Sequence, residues 1–362
     1  MKQALLAATL MIAASATPCI NDRDTLAFEQ RNVDAIKRVR QETNHRKRAE
    51  AAQEIALKAI GGRFERFPAK YYEMRIARLE ALAHLHVLEY DDLAVAYERL
   101  GKTDKAIEIL LASKPHRKTK DDDYRFHANY GTFLVHKWLA QKDRADKKAL
   151  KQSIAEIEAA LKINPGSHFG REKVQLELER MWLTGESLEF EDEIDHVVGL
   201  AGIAMMGLAY ELPDAYALMT DLNLVHGTSI FDGLVVSRVR ELVADGHNLV
   251  SQELVVSKPK ADPKGEIGNA YKDLRADGEK VHQARLAYID ERLNRGEHPD
   301  THPDFWKEWQ EPPFPVLNRI NPLLNSVNQV SIMKLLLGVG AMVSAIAITI
   351  WRRRVKKVKL LS

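Results

Sequence analysis

The 362-residue chain is expected to be all-α, with paired helices in an exported body followed by one C-terminal transmembrane helix. Three observations predict this. Aliphatic residues and alanine supply most of the 45% hydrophobic content, aromatics supply only 7%, and strand-length runs of Val, Ile and Thr are scarce. The stretch Tyr90 to Ser113, YDDLAVAYERLGKTDKAIEILLAS, reads as two short helices folded on each other. Finally, the chain has a short apolar run near its start and a long one near its end.

Within the hairpin, Leu93, Tyr97 and Leu100 are spaced by four and three residues and share one helix face. Gly101 stops that helix, since glycine reaches the left-handed C-cap conformation without steric cost. Lys102 to Asp104 make the turn, and Ala106, Leu110 and Ser113 resume the four-three spacing. Ala94 and Ala106 are the small residues that let two helices approach where they cross.

With Tyr90, Leu93, Ala94, Tyr97, Gly101, Ala106, Leu110 and Ser113 in these places, the stretch resembles one tetratricopeptide repeat. That helix-turn-helix unit of about 34 residues stacks into an α-α superhelix. A second copy has Gly131 at the small crossing place with Leu134 three later, then Ser153, Ile157, Ala160 and Leu161, closing at Asn164 and Pro165. Twelve residues separate Ala94 from Ala106 and twenty-two separate Gly131 from Ser153, so the second copy carries about ten extra. These are Lys142 to Lys151, KDRADKKALK, a solvated helix extension or loop. The clearest copies span 87–120 and 124–165, inside a TPR-like helical-repeat domain over 63–256.

The whole arrangement also resembles exported, membrane-anchored bacterial helical-repeat proteins with no known activity, on the segments CINDRDTLAFEQ, GRFERFPAKYYEMR and INPGSHFGREK. Repeat helices present an extended groove whose lining varies without disturbing the stack. Tyr90, Tyr97, His127, Asn129 and Tyr130 are the candidate lining for a protein or peptide partner. The alternative is an accessory protein of an envelope or transport system, binding a small molecule or metal near Trp138, Trp182 and the acidic stretch Glu186 to Asp195. A hydrolase with scattered catalytic residues is a third class. Nucleophile elbows, phosphate loops, H-E-x-x-H pairs and paired cysteines are all missing from the sequence, so no enzyme activity, catalytic residue, cofactor or metal is expected.

Residues 1–16 read as an export signal: Lys2, an apolar run from Ala4 to Ala14, and Ala14-Ser15-Ala16 as the cleavage motif. Cys19 is the one cysteine, which excludes an internal disulfide. Lipidation of its thiol is the rival to a plain free cysteine, and Pro18 stands against it. Leu335 to Trp351 carries no charge, and with Val330 to Lys334 the run spans about 25 to 33 Å, enough for a hydrocarbon core. Residues 330–351 are therefore the expected membrane helix, retained because no sorting motif precedes it. The basic tail 352–362 marks the cytoplasmic side. That tail also explains the formal charge of +2: without its six basic residues and Lys2 the body holds 46 basic against 51 acidic residues. A body near −5 gives no reason to expect nucleic acid.

Between these ends, 17–62 reads as one or two exposed charged helices ending at Gly61-Gly62, with His45 to Arg48 on a solvated face. Pro68 opens a helix running to Tyr90. His127 and His136, nine residues apart on one helix, point to opposite faces and share no metal. Val197 to Tyr210 is too short to span a bilayer and reads as a buried helix. Further helices are expected from Pro213 to Val225 and from Phe231 to Ala244. Residues 257–265 form a linker, 266–311 a long helix with an aromatic connector, and 312–329 a juxtamembrane segment. His298 and His302 frame a cluster that the prolines at 299 and 303 keep from presenting both rings as a helical metal pair.

Overall fold

In a computed structural model, the described residues are 21–166, 170–186, 192–206, 209–219, 229–251 and 265–314, and all their regular structure is helical. The expected signal segment, Cys19, residues 257–264 of the linker, the 330–351 span and the basic tail lie outside these residues. Among the described residues no helix is long and apolar enough to cross a membrane.

Helices α1 (Arg23–Gln41) and α2 (His45–Gly61) start on side-chain caps, Asp22 accepting from the Thr25 N–H at 2.9 Å and Asn44 from the Lys47 N–H at 3.1 Å. The expectation that this segment is exposed is corrected for α2. Ala49, Ala52, Ala56 and Ala59 are fully buried, because a stripe of small side chains lets α9 (Glu193–Met205) and α12 (Glu266–Asn294) close onto it.

α3 (Ala69–Glu80) follows Pro68 but stops ten residues before Tyr90. The chain reverses through residues 81–86, leaving Leu82 41% exposed, so that α4 (Val87–Arg99) can lie back along α3. α5 (Thr103–Ala112) then pairs with α4 after Gly101, whose φ is +71°. Ala94 and Ala106 are fully buried at this pairing.

α6 (Lys120–Leu139) and α7 (Lys148–Ile163) form the next hairpin, with α6 packed on both α4 and α5. Its crossing is as tight as the sequence implies: a Cβ at Gly131 would come within 2.8 Å of Ile157, and the Ser153 hydroxyl donates to the Gly131 carbonyl at 2.7 Å. α8 (Arg171–Thr184) packs on α7, and α9 on α8. α10 (Pro213–Ala217) is shorter than the helix expected there, and the stretch beyond residue 219 falls outside the described residues. α11 (Ser229–Ala244) and α12 stand where the periodicity places them.

Apolar side chains collect in two main bodies, one around α2, α9, α10 and α11 and one around α3, α4 and α5. The 29-residue α12 joins them, giving Leu274 to the first and Ile289 and Leu293 to the second. Its closest approach is backbone on backbone: a Cβ at Gly278 would overlap the Gly61 carbonyl. Neither main chain can yield cheaply, so Gly278→Ala is expected to cost roughly 3 kcal/mol in urea unfolding. Ala276→Ser, on the exposed side of the same helix, should stay within about 0.5 kcal/mol.

Candidate functional site

The entry to α1 is gripped by three helices that do not neighbour it in sequence. The Asn21 N–H donates to Asn129 Oδ1 at 2.6 Å, and Asn129 Nδ2 donates back to the Asn21 carbonyl at 3.0 Å. A fully buried side-chain amide thus satisfies both backbone groups of one residue, as a strand would. Two further contacts follow this clamp along the segment. Arg23 donates its backbone N–H and Nε to Asp92 at 3.0 and 2.6 Å, and Arg171 pairs with Glu29. Asp92, Asn129 and Arg171 belong to α4, α6 and α8, so residues 21–29 are tied to the first helix of three pairs, while α1 itself packs on α2 and α9.

Below α1 sits a buried charge network. The Arg75 side chain is wholly inaccessible and donates to Asp24 at 2.7 and 3.1 Å, to Asp300 at 2.9 and 2.7 Å, and to the Tyr71 hydroxyl at 3.0 Å. Arg78 adds a bond to Asp300 at 2.7 Å. Burial alone would raise the Asp300 pKa, but the Arg75 bonds hold it well below the usual carboxylate range. His298 accepts the Asp300 N–H at Nδ1 (3.1 Å) and lies against the Tyr71 ring, centroids 4.3 Å apart. Nε2 therefore carries the proton and donates to the Tyr71 carbonyl at 3.1 Å. Burial lowers the His298 pKa to about 4, so the ring is neutral and structural. His302 turns to its own loop, accepting from the His298 N–H. Among the described residues no group of three or more His, Cys, Asp or Glu could hold a metal.

Between α1 and this network lies a cavity of about 200 Å³. α1 contributes Asp22, Asp24, Thr25 and Phe28, and the turn before α3 contributes Glu65 to Phe67. Tyr72, Arg99, Met205 and Met206 complete the wall. Burial, then the charge of Asp24, pushes Asp22 up to about 6. Burial also raises Glu65 and Tyr72 and lowers Arg66.

The five residues expected to line one groove are divided between surfaces. Asn129 faces α1. Tyr90 is half-buried and stacks on His116 at 5.3 Å, and the Tyr97 hydroxyl donates to Glu80 of α3, which pushes its pKa up to about 12. His127 meets Glu156 at 2.6 Å and Tyr130 accepts from Gln152 at 3.0 Å, both toward α7. His136 points the other way, to Glu98 of α4, as the nine-residue spacing requires. Trp138 and Trp182 pack at 5.9 Å in the core, with the Trp182 indole donating to Asp214 at 3.1 Å. The acidic stretch is described only at its ends, where Asp192 and Asp195 each hold Arg48 at 2.7 Å. The cavity residues Asp22 and Arg99 and the network residue Arg75 were not singled out from sequence, and Asp300 was noted only within the cluster framed by His298 and His302. One signal was available for Arg75: it falls inside the apolar stripe Tyr72, Ile76 and Leu79.

Asp300→Asn removes one of the two carboxylates hydrogen-bonded to Arg75, leaving Asp24 and the more distant Asp22. The expected loss is about 3 kcal/mol in denaturant unfolding, with faster hydrogen exchange over residues 296–314. No family model, curated protein or solved structure matches this chain.

Proposed function

We propose that the chain is a TPR-like helical scaffold that holds a protein or peptide partner and catalyses no reaction. The single observation that carries this reading is the Asn129 clamp. It grips a backbone amide and carbonyl together, a mode of recognition that reads polypeptide and ignores side-chain identity. Charged groups beyond the clamp, Asp92 and then Arg171, meet a cation and an anion in turn and give such a groove its direction. In this arrangement the polypeptide held is the chain's own residues 21–29, so a partner competes with that segment.

The competition supplies the test. Arg23→Ala with Glu29→Ala removes two of the segment's side-chain anchors and leaves every groove residue in place. Recovered from detergent-solubilised membranes after crosslinking, the double variant is expected to carry a stoichiometric polypeptide at several times the wild-type yield. Adding Asn129→Ala should abolish that gain. Equal recovery from all three proteins, each folded by circular dichroism, would overturn the reading.

The scaffold is placed on the outer side of the cytoplasmic membrane by its sequence ends: a signal at 1–16, a span at 330–351 and six basic residues in 352–362. Protease added to spheroplasts is expected to digest the body and spare the tail, and a protected body would refute this topology.

A further inference from the structure

The cavity beneath α1 retains hydrogen-bonding capacity of both signs. Two of its carboxylates are already committed, Asp24 to Arg75 and Tyr71, Glu65 to Arg31. Asp22 is different: one oxygen accepts the Thr25 N–H, and the other lies 3.5 Å from Arg75, too far for a strong bond. Among the donors, Arg66 lies over the rings of Phe64 and Tyr210, at 5.6 and 5.1 Å, turns a terminal nitrogen to the Gly62 carbonyl and Glu279, and leaves Nε buried without an acceptor. Arg99 uses one terminal nitrogen on the Met206 carbonyl and leaves Nε buried without an acceptor. Tyr72 is only 7% exposed, and among the described residues its hydroxyl has no hydrogen-bond partner. A buried donor without an acceptor, as Arg99 Nε is, is costly in a folded protein. A carboxylate oxygen held only by the 3.5 Å pair with Arg75, beside the Tyr72 hydroxyl and an Arg99 guanidinium that is only partly bonded, marks a site that a ligand would complete.

Size narrows the class. At about 200 Å³ the space falls below the roughly 300–1,000 Å³ of drug-sized sites, so the occupant is small. A lone anion would lie against Asp22, and a lone amine would meet Arg99. Only a molecule carrying both charges satisfies both walls. Phe28, Met205 and Met206 provide an apolar side, and the methionine thioethers adapt to varied shapes.

We propose that this cavity binds a small zwitterion of the amino-acid type. Its ammonium pairs with Asp22, its carboxylate takes Arg99 and the Tyr72 hydroxyl, and an apolar side chain rests on Phe28, Met205 and Met206. The inference rests on the cavity's own side chains, and because Asp22, Asp24, Thr25 and Phe28 lie on the segment that the scaffold reading has a partner displace, it is tested on the chain without partner, where failure of the scaffold reading leaves it untouched.

Titration calorimetry on the full chain in detergent micelles tests it, using L-leucine, L-methionine and L-phenylalanine with the N-acetyl and methyl ester derivatives of each. At least one free amino acid is expected to bind. Both of its derivatives should bind at least about tenfold more weakly, because each removes one of the two charges. Tyr72→Phe keeps the ring and should weaken binding about tenfold, and Arg99→Met should abolish it. If Arg99→Met does not fold, Tyr72→Phe decides alone. The proposal is overturned if no free amino acid binds at millimolar concentration, if the derivatives bind as tightly as the parent, or if the folded variants keep full affinity.

Discussion

A guanidinium taken wholly out of water must be given carboxylates, and Arg75 obtains them from opposite ends of the described chain. Asp24 lies 51 residues away and Asp300 225 residues away. Closing the longer loop costs little more than closing the shorter one, since the entropy grows only with the logarithm of length. Leaving Arg75 without either partner would strand a buried charge, at several kcal/mol by ordinary magnitudes. The network therefore acts as a closure condition: α1, α3 and the 298–305 loop are in place together or the charge is unpaired. Loop residues gain order the same way, as Arg292 and Tyr288 both donate to the Phe305 carbonyl.

α1 carries two burdens at once. Its entry occupies the clamp on α4, α6 and α8, while Asp22, Thr25 and Phe28 wall the cavity beneath. Anything that contacts Asp22 in the cavity binds only the docked arrangement of α1, and anything that takes the Asn129 clamp requires α1 to leave it. The two proposed events would oppose each other by thermodynamic linkage, with equal coupling in both directions.

Much of the helical framework was legible from spacing. The α4–α5 hairpin, its stop at Gly101 and the small crossing residues Ala94, Ala106 and Gly131 follow from the contact of residues three and four apart, a local property of any helix. The buried stretch from Val197 and the long α12 follow from the same rule. Two placements failed it. α2 looked like a solvated helix because its Arg and Lys residues mask an alanine stripe, and the break after Glu80 could not be seen in a periodicity that runs on through Ala83.

What the sequence alone determined is the helical character and the helix pairing, because those depend on neighbours within one or two turns. The tertiary structure decided which polar groups are buried and what they hold. Asn129 became a clamp, and Arg75, Asp22 and Arg99 became interior groups, through partners dozens to hundreds of residues distant. The free energy of a buried charge is set by those partners, and no local pattern contains them.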